Sequence, residues 1–224
     1  MKRVFTITII SILSICFILA GVFISRAYVL PTKTVMSSMM IAGMSKNELI
    51  YKADLIIKGK VGNIISCEWS NPDNVLGTEI NNDIKTYVSV EILEVYKGTP
   101  YNVNSVVVAI EGGQIGRTLY KNTSAPKLDV GDDVILFLDD KNKYPNLDYY
   151  PVKNSYSILG FRQGKYLLGD DNKYTAMVAG DDKTIDLSTF EDEISYALNE
   201  YALTRIPDLT KEEIAAINNQ SMGE

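Results

Sequence analysis

The sequence predicts a mainly β protein, in which an antiparallel Greek-key barrel follows one N-terminal transmembrane helix and precedes C-terminal helices. Three observations lead to this prediction. Residues 4–25 carry no charge. Residues 53–178 alternate apolar and polar side chains between turns rich in glycine and aspartate, as strands do. After residue 188 the apolar residues recur at helical spacing.

The first segment has the length of a membrane-spanning helix. Met1-Lys2-Arg3 opens the chain, and the 22 residues 4–25 follow without a charge. As a helix they extend over roughly 33 Å, about the thickness of a bilayer core. Lys2 and Arg3 favour a cytoplasmic N-terminus. We therefore expect a single-pass protein of the cell membrane, with its domain on the extracytoplasmic side.

Cleavage of this segment is an alternative. Ser25-Arg26-Ala27 places small residues where a signal peptidase cuts, and a cleaved chain would be secreted. A lipoprotein is disfavoured, because Ile15 precedes Cys16 where a small residue is needed. The length of the apolar run favours the uncleaved anchor.

The charge distribution limits the partners of the chain. Its net charge is −6, but Lys2, Arg3 and Arg26 lie in or beside the first segment. The rest carries 22 − 3 = 19 basic and 28 acidic residues, a balance of −9. An acidic domain repels phosphate backbones, so we expect no nucleic-acid partner. Anionic lipids would repel it too, so the sequence assigns membrane attachment to the N-terminal segment.

The composition also excludes several catalytic chemistries. The chain has no histidine, which excludes Ser-His-Asp and Cys-His catalysis and HExxH zinc sites. Its two cysteines are Cys16, within the apolar run, and Cys67, so neither an internal disulfide nor a Cys-x-x-Cys site is expected. We predict no catalytic residue and no cofactor.

The first helix and the strands follow from local signals. Ser45 and Glu48 form a capping box that predicts a helix at 46–52. Gly59 and Gly62, and a switch of apolar phase within residues 84–97, predict bulges. The predicted strands are 53–66, 84–97, 105–111, 133–138, 149–152, 157–162, 165–168 and 174–178, and the predicted loops are 67–83, 112–129 and 141–148.

The C-terminal region changes to a helical period. Ser188 and Glu191 form a second capping box, and Pro207 ends the helix predicted at 189–203. Thr210 and Glu213 open a last short helix. The first of these helices presents one apolar face, made of Phe190, Ile194, Ala197, Leu198 and Tyr201. The predicted organisation is an anchor at 1–26, a juxtamembrane linker at 27–44, a barrel at 45–180 and C-terminal helices packed on it at 181–224.

Several short motifs carry a family resemblance. They are Ala53-Asp54 with Gly59, Tyr87-x-Val-x-Val with Val95-Tyr96-Lys97-Gly98, and Leu128-x-Val130-Gly131 with Val134 and Leu136-Phe137. Together they resemble the OB-fold modules of the tissue-inhibitor-of-metalloproteinase and netrin-like class, as in uncharacterised secreted or membrane-anchored proteins of Gram-positive bacteria. The resemblance covers about residues 46–177 and implies an OB-like barrel.

The resemblance does not extend to metalloproteinase inhibition. Inhibitors of that family grip the zinc of the enzyme with a free N-terminal cysteine, supported by several disulfides. Here no cysteine lies near the start of the predicted domain, and no disulfide framework is present. Only the scaffold is implied.

Two groups of residues are candidate sites. Asp139, Asp140, Asn142 and Asp148 form the richest oxygen cluster, which suits Ca²⁺, although solvated turns explain such residues more simply. The second group is a candidate interaction surface. It combines the glycine loop at Gly112, Gly113 and Gln114 with Tyr149 and Tyr150, in a part of the chain that also holds Tyr144, Tyr156 and Tyr166. Strand and core-edge tyrosines are the alternative for the aromatic residues.

The leading functional hypothesis is a non-catalytic extracytoplasmic binding module, held at the membrane and contacting a protein partner of unknown identity. One alternative is an extracytoplasmic hydrolase that uses carboxylates or a metal. Another is a structural envelope protein. A pocket with acids of raised pKa would favour the hydrolase, and an aromatic contact surface would favour the binding module.

Overall fold

The computed structural model describes residues 14–15, 17–18, 21, 33–38, 42–70, 83–143, 152–169, 173–176 and 184–204. Of the predicted span at 4–25, only five helical positions are described. The strand predicted at 149–152, apart from its last residue, and the helix predicted after Thr210 also lie outside the described residues. None of the described helices has the length and apolar composition that a membrane-spanning helix needs.

The described part of the chain is mainly β. Two short 3₁₀ turns, Lys141–Lys143 and Phe161–Gly164, interrupt the strands. The helices are α1 (Lys46–Lys52) and α2 (Phe190–Thr204). The strands are β1 (Lys33–Ser37), β2 (Leu55–Trp69), β3 (Ile84–Lys97), β4 (Ser105–Glu111), β5 (Gly113–Ile115), β6 (Thr118–Asn122), β7 (Asp133–Asp140), β8 (Ser155–Ile158), β9 (Lys165–Leu168), β10 (Tyr174–Ala176) and β11 (Thr184–Ile185).

Five strands form a closed ring of pairings. β7 pairs with β2, β2 with β3, β3 with β4 and β4 with β8, and β8 returns to β7. Beyond β7, the same sheet continues through β9 and β10 to β11. The strands predicted at 84–97, 105–111 and 165–168 are confirmed with the same bounds.

One pairing in this ring contradicts the predicted antiparallel arrangement. β4 and β8 run parallel, with Val107 opposite Ser155 and Ala109 opposite Ser157. The chain reaches β8 through a long excursion that includes β7, so no tight hairpin forces the two strands to be antiparallel. The expectation of a purely antiparallel sheet is therefore wrong at this pair.

β2 bends because it contains glycines and bulges. Its register with β3 shifts at four points, one of them between Val61 and Ile64. At Gly59 an added Cβ would lie 2.5 Å from the Glu91 carbonyl oxygen, so only glycine allows this close approach of the two backbones. The predicted bulges are confirmed, and they bend β2 along its pairing with β3.

Two apolar cores lie on opposite faces of the sheet. One fills the interior of the five-strand ring, and the other lies between the sheet and the two helices. The ring interior includes Leu55, Ile57, Val88, Val90, Val108, Leu136 and Tyr156. The helix-side core includes Leu49, Ile50, Ile56, Ile135, Phe137, Tyr166 and Phe190.

Polar contacts fix α1 against its neighbours. The Ser45 hydroxyl oxygen accepts a hydrogen bond from the Glu48 amide at 3.2 Å, which confirms that Ser45 caps the helix. At the other end, the Lys97 ammonium donates to the carbonyl oxygens of Ile50 and Tyr51, both at 2.8 Å. A cation at a helix C-terminus stabilises the carbonyl groups that have no partner within the helix.

α2 occupies the position that the helical spacing predicts. The observed bounds, Phe190–Thr204, differ from the predicted ones by one residue at each end. The helix begins at Phe190, and the Ser188 hydroxyl donates to Asp186 at 2.7 Å, so the capping pair predicted at Ser188 and Glu191 is wrong. Lys46 of α1 pairs with Glu193 at 2.7 Å and joins the two helices.

A second, smaller sheet has the order β1–β6–β5. β1 lies in the stretch predicted as a juxtamembrane linker at 27–44, and it pairs parallel with β6. The hairpin of β5 and β6 lies within the stretch predicted as a loop at 112–129, so that prediction is wrong for these residues. Strands of three to five residues with mixed polarity leave little periodic signal.

Other boundaries also differ from the predictions. Residues 67–69, predicted as loop, complete β2. The strand predicted at 157–162 is instead β8, which ends at Ile158 and is followed by a 3₁₀ turn. Gly160 has a φ of 63° there, a left-handed conformation that ends the extended backbone.

Phe190 is expected to carry much of the docking energy of α2. Its ring is fully buried, with ring centroids 4.9 Å from Tyr96 and 6.3 Å from Phe137. We predict that Phe190→Ala lowers the free energy of unfolding by about 3–5 kcal/mol, measured by urea denaturation. Tyr196→Ala, on the exposed face of the same helix, should change it by less than about 0.5 kcal/mol. Equal effects of the two substitutions would contradict the docking of α2.

Candidate functional site

A cleft of about 300 Å³ opens on the five-strand ring where β8 meets β4. This volume is at the lower end of the range for small-ligand pockets. The lining combines five apolar residues, Ala109, Ile110, Pro126, Ile158 and Phe161, with four polar ones, Lys85, Glu111, Lys141 and Ser157. It draws on β3, β4, β8, both 3₁₀ turns and the β6–β7 connection.

The strand register explains why these side chains converge. Lys85 is the register partner of Glu111, and Ala109 is the partner of Ser157. Ser157 is in turn the partner of Asp139 on β7. Partners across neighbouring strands project from the same face of a sheet, so residues from four strands meet at one position.

The charges in the cleft are arranged in pairs. The buried Lys85 ammonium lies 3.3 Å from Asp83 and 3.9 Å from Glu111. Lys141 pairs with Asp139 at 2.5 Å. The site thus offers charged groups of both signs beside an apolar wall.

The wall beside β8 is held by contacts to backbone oxygens. The Arg162 guanidinium donates to the carbonyl oxygens of Thr123 and Ala125. The Lys165 ammonium donates to the carbonyl oxygen of Lys127 at 2.5 Å and pairs with Asp132 at 3.1 Å. These contacts fix the β6–β7 connection, which contributes Pro126 to the cleft.

Phe161 enters the cleft with a strained backbone. Its φ is 56°, a left-handed value that costs a bulky residue on the order of 1–3 kcal/mol. An added Cβ at Gly164 would lie 2.2 Å from the Leu159 carbonyl oxygen, so this turn is folded tightly on itself. Such strain persists only where the surrounding structure imposes it, and it is concentrated at functional sites.

Tyr87 lies on the same face of the sheet as Lys85 and Ala109 and is fully buried. Burial raises the pKa of its hydroxyl to about 12, while the Val152 backbone acts in the opposite direction. Among the described residues, no group forms a hydrogen bond of standard geometry with this hydroxyl. Tyr87 is therefore neutral at physiological pH and cannot act as a base.

Three of the four candidate calcium ligands lie together at the end of β7. Asp139 contacts Lys141 and Lys143, with Nζ–Oδ distances of 2.5 and 2.8 Å. Asp140 accepts hydrogen bonds from the Tyr101 hydroxyl at 2.6 Å and from the Asn142 amide at 2.8 Å. The fourth candidate, Asp148, lies outside the described residues.

This cluster acts as a clamp on the chain. Asp54, which precedes β2, accepts from the Asp140 amide at 2.8 Å and pairs with Lys143 at 2.6 Å. The carboxylate oxygens that calcium would need already accept from lysine, tyrosine and amide donors. Within the described ranges, no group of three or more acidic or cysteine side chains has the arrangement of a metal site.

The environment keeps both aspartates ionised. Burial acts to raise the pKa of Asp139, but hydrogen bonds and charges of Lys141 and Lys143 outweigh it, so this pKa lies below its ordinary value. At Asp140, burial also acts to raise the pKa, but the hydrogen bonds from Tyr101 and Asn142 outweigh it and lower the pKa. A general acid needs a raised pKa, so neither carboxyl group is suited to donate a proton near neutral pH.

The predicted interaction surface divides into three parts. Gly112 and Gly113 have φ values of 122° and 146°, and an added Cβ at Gly113 would lie 2.6 Å from the Thr86 hydroxyl. These glycines therefore have a structural reason to be present. Gln114 is exposed on β5. Tyr149 and Tyr150 lie outside the described residues.

The remaining aromatic and thiol candidates are structural where they are described. Tyr156 and Tyr166 are each 2% exposed, which confirms the core interpretation for these two tyrosines. Tyr144 lies outside the described residues. The Cys67 sulfur lies 3.4 Å from the Thr86 hydroxyl oxygen and packs near Gly113, so this thiol fills space at the end of the ring.

Sequence reasoning missed Lys85, Lys141 and Phe161 as members of one site. No local pattern marks them, because they come together through the parallel pairing of β4 with β8. A lysine within an apolar strand, directly after Ile84, is the one signal that could have drawn attention to Lys85.

Comparisons with known proteins add no assignment. No model of a protein family matches this chain, and no curated protein matches it.

The clamp around Asp139 predicts how the stability of the folded chain depends on pH. The pKa of Asp139 in the folded state lies below its value of about 3.9 in the unfolded state. The contribution of Asp139 to the free energy of unfolding is therefore fully present above about pH 3.9, and it is lost as the pH falls through the folded-state pKa. At neutral pH, Asp139→Asn should lower the free energy of unfolding by about 1–3 kcal/mol. Urea denaturation between about pH 6 and pH 3 should show a smaller loss for the variant than for the wild type.

Asp129→Asn serves as the matched control, since Asp129 pairs with the highly exposed Lys127 and contributes little. A pH profile of Asp139→Asn parallel to that of the wild type would contradict the clamp.

Proposed function

We propose that the five-strand ring is an OB-like Greek-key barrel. In a Greek key, three successive antiparallel strands are joined by a fourth that lies beside the first. β2, β3 and β4 are successive antiparallel neighbours, and β7 lies beside β2, which gives this order. The closure through β8 supports a five-stranded barrel of the OB class. The motifs noted in the sequence favour the same scaffold.

The proposed function is a non-catalytic binding module, held by its N-terminal segment on the extracytoplasmic side of the cell membrane. The observation that carries this proposal is the cleft beside β8, where an apolar wall meets paired charges around a strained phenylalanine. OB-type barrels bind ligands with the strands that correspond to β3 and β4, the strands that contribute Lys85 and Glu111. The proposed occupant is an extended segment of a partner protein that inserts an apolar side chain.

The charge state of the site favours binding over hydrolysis. A carboxylate hydrolase needs one acid of raised pKa beside an ionised partner. The pKa values of Asp139 and Asp140 are both lowered, and their oxygens accept hydrogen bonds from neighbouring side chains. These interactions hold both carboxyl groups in the ionised state. Neither carboxyl group is therefore suited to act as the acid while the other acts as the base.

Site-specific photocrosslinking tests the binding module. A photoreactive benzoylphenylalanine at position 161 keeps the phenyl ring of Phe161 and adds the reactive benzoyl group at the cleft, and the same residue at Tyr196 gives an exposed control on α2. In the native host, we expect a crosslinked species of one defined mass from position 161 and none from position 196.

Two further results bear on the proposal. In the same chain, Lys141→Glu should reduce the crosslinked species several-fold, because it reverses a charge on the wall of the cleft. Identical crosslinking patterns from positions 161 and 196, or the absence of any species from position 161, would contradict a specific partner at the cleft.

A further inference from the structure

The small sheet β1–β6–β5 differs in charge from the rest of the protein. Its strands and the hairpin turn contain three basic residues, Lys33, Arg117 and Lys121, and no acidic residue. Indeed no acidic residue precedes Glu48 in the chain, and none occurs at 112–128. The chain beyond the first segment carries a balance of −9, so this basic sheet is a local exception.

The three basic side chains are exposed and accessible to a partner. Within the described part of the chain, none of Lys33, Arg117 and Lys121 forms an ion pair. The carboxylate nearest to Arg117 in sequence is Glu111, which accepts from Asn122 at 2.6 Å and lies 3.9 Å from Lys85. Both of its oxygens therefore already have partners.

An exposed apolar side chain accompanies these charges. Met36 is 66% exposed and is the register partner of Lys121, so both project from the same face of the sheet. The Lys33 amide donates to the Arg117 carbonyl oxygen at 3.1 Å, which places the start of β1 beside the tip of the β5–β6 hairpin. Lys33 lies three residues before Met36 in the strand and therefore projects from the opposite face. An apolar side chain beside a cation is the composition of surfaces that lie on lipid headgroups.

The chain itself brings this sheet close to a bilayer. Only seven residues, 26–32, separate the apolar segment from Lys33. Even fully extended, the eight peptide units from Ser25 to Lys33 span at most about 29 Å. Since β1 is hydrogen-bonded to β6 along its whole length, this limit applies to the sheet and to the domain that carries it.

We propose that the face of the β1–β6–β5 sheet that carries Met36 and Lys121, with Arg117 at the hairpin tip, is a membrane-docking surface that binds anionic lipid headgroups. This inference rests on the proposed N-terminal anchor and adds an orientation to it. Each basic residue near an anionic surface contributes about 1 kcal/mol, so Arg117 and Lys121 favour the docked state by roughly thirtyfold. The acidic remainder of the domain is repelled and faces away from the bilayer, which leaves the cleft accessible to a partner.

Oxidative footprinting of the full-length chain in lipid nanodiscs tests this orientation. Hydroxyl radicals label Met36 and Tyr196, which are similarly exposed in the free domain. In discs that contain phosphatidylglycerol, we expect labelling of Met36 to fall several-fold relative to discs of phosphatidylcholine alone, with labelling of Tyr196 unchanged. Mass spectrometry gives both values and the intact mass of the disc-bound chain.

A charge-reversal variant and a matched control identify the cause. Arg117→Glu and Lys121→Glu together should remove the protection of Met36 in anionic discs. The control reverses Lys60 and Lys153, which are exposed elsewhere, and should keep the protection. Circular dichroism verifies that both variants are folded.

The outcomes separate the two proposals. Loss of the chain from the discs, or loss of its N-terminus, would overturn the anchor and the docking surface together. A retained chain whose Met36 is labelled in both lipids as strongly as in the free domain would overturn the docking surface alone. If Met36 is instead protected to the same extent in neutral and anionic discs, the short tether and not the charge causes the protection, and this result would also overturn the inference.

Discussion

Closure of the five-strand ring depends on the four residues of β8. They pair with β4 in the parallel direction and with β7 in the antiparallel direction, three positions each. Without β8, β4 would present an open edge to solvent, which invites pairing with other chains. The same residues create the cleft, because Ser157 and Ile158 form one wall of it. One short strand thus determines both the topology and the candidate site.

Lysines with buried or half-buried side chains hold the connections around this ring in place. Lys97 reaches the last carbonyl groups of α1, and Lys165 reaches the β6–β7 connection. Lys85 lies between the carboxylates of Asp83 and Glu111. A buried cation is costly unless oxygen atoms surround it, so each lysine fixes the segments that supply those oxygens. The exposed cations of the small sheet differ from these lysines, because they form no ion pair within the described residues. They are proposed to contact lipid headgroups.

The sequence allowed accurate prediction where the signal is local. Apolar strand patterns that end at a glycine predicted β3 and β4 with their observed bounds, and the helical spacing of Phe190, Ile194 and Ala197 predicted α2. Three features depend on contacts between distant residues and could not be read from the chain: the parallel pairing of β8, the strand β1, and the meeting of Lys85 with Phe161. β1 in particular has only five residues, so the contact that makes it a strand is its pairing with the distant β6.

Nuclear Overhauser measurements across β8 test the central claim, that this strand closes the ring and forms the cleft. The account predicts parallel-register contacts from Val107–Ala109 to Ser155–Ser157, antiparallel contacts from Leu138–Asp140 to Tyr156–Ile158, and slow amide exchange along β8. An antiparallel register between β4 and β8, or fast exchange throughout β8, would contradict it, because the ring would then be open and the cleft would have no wall.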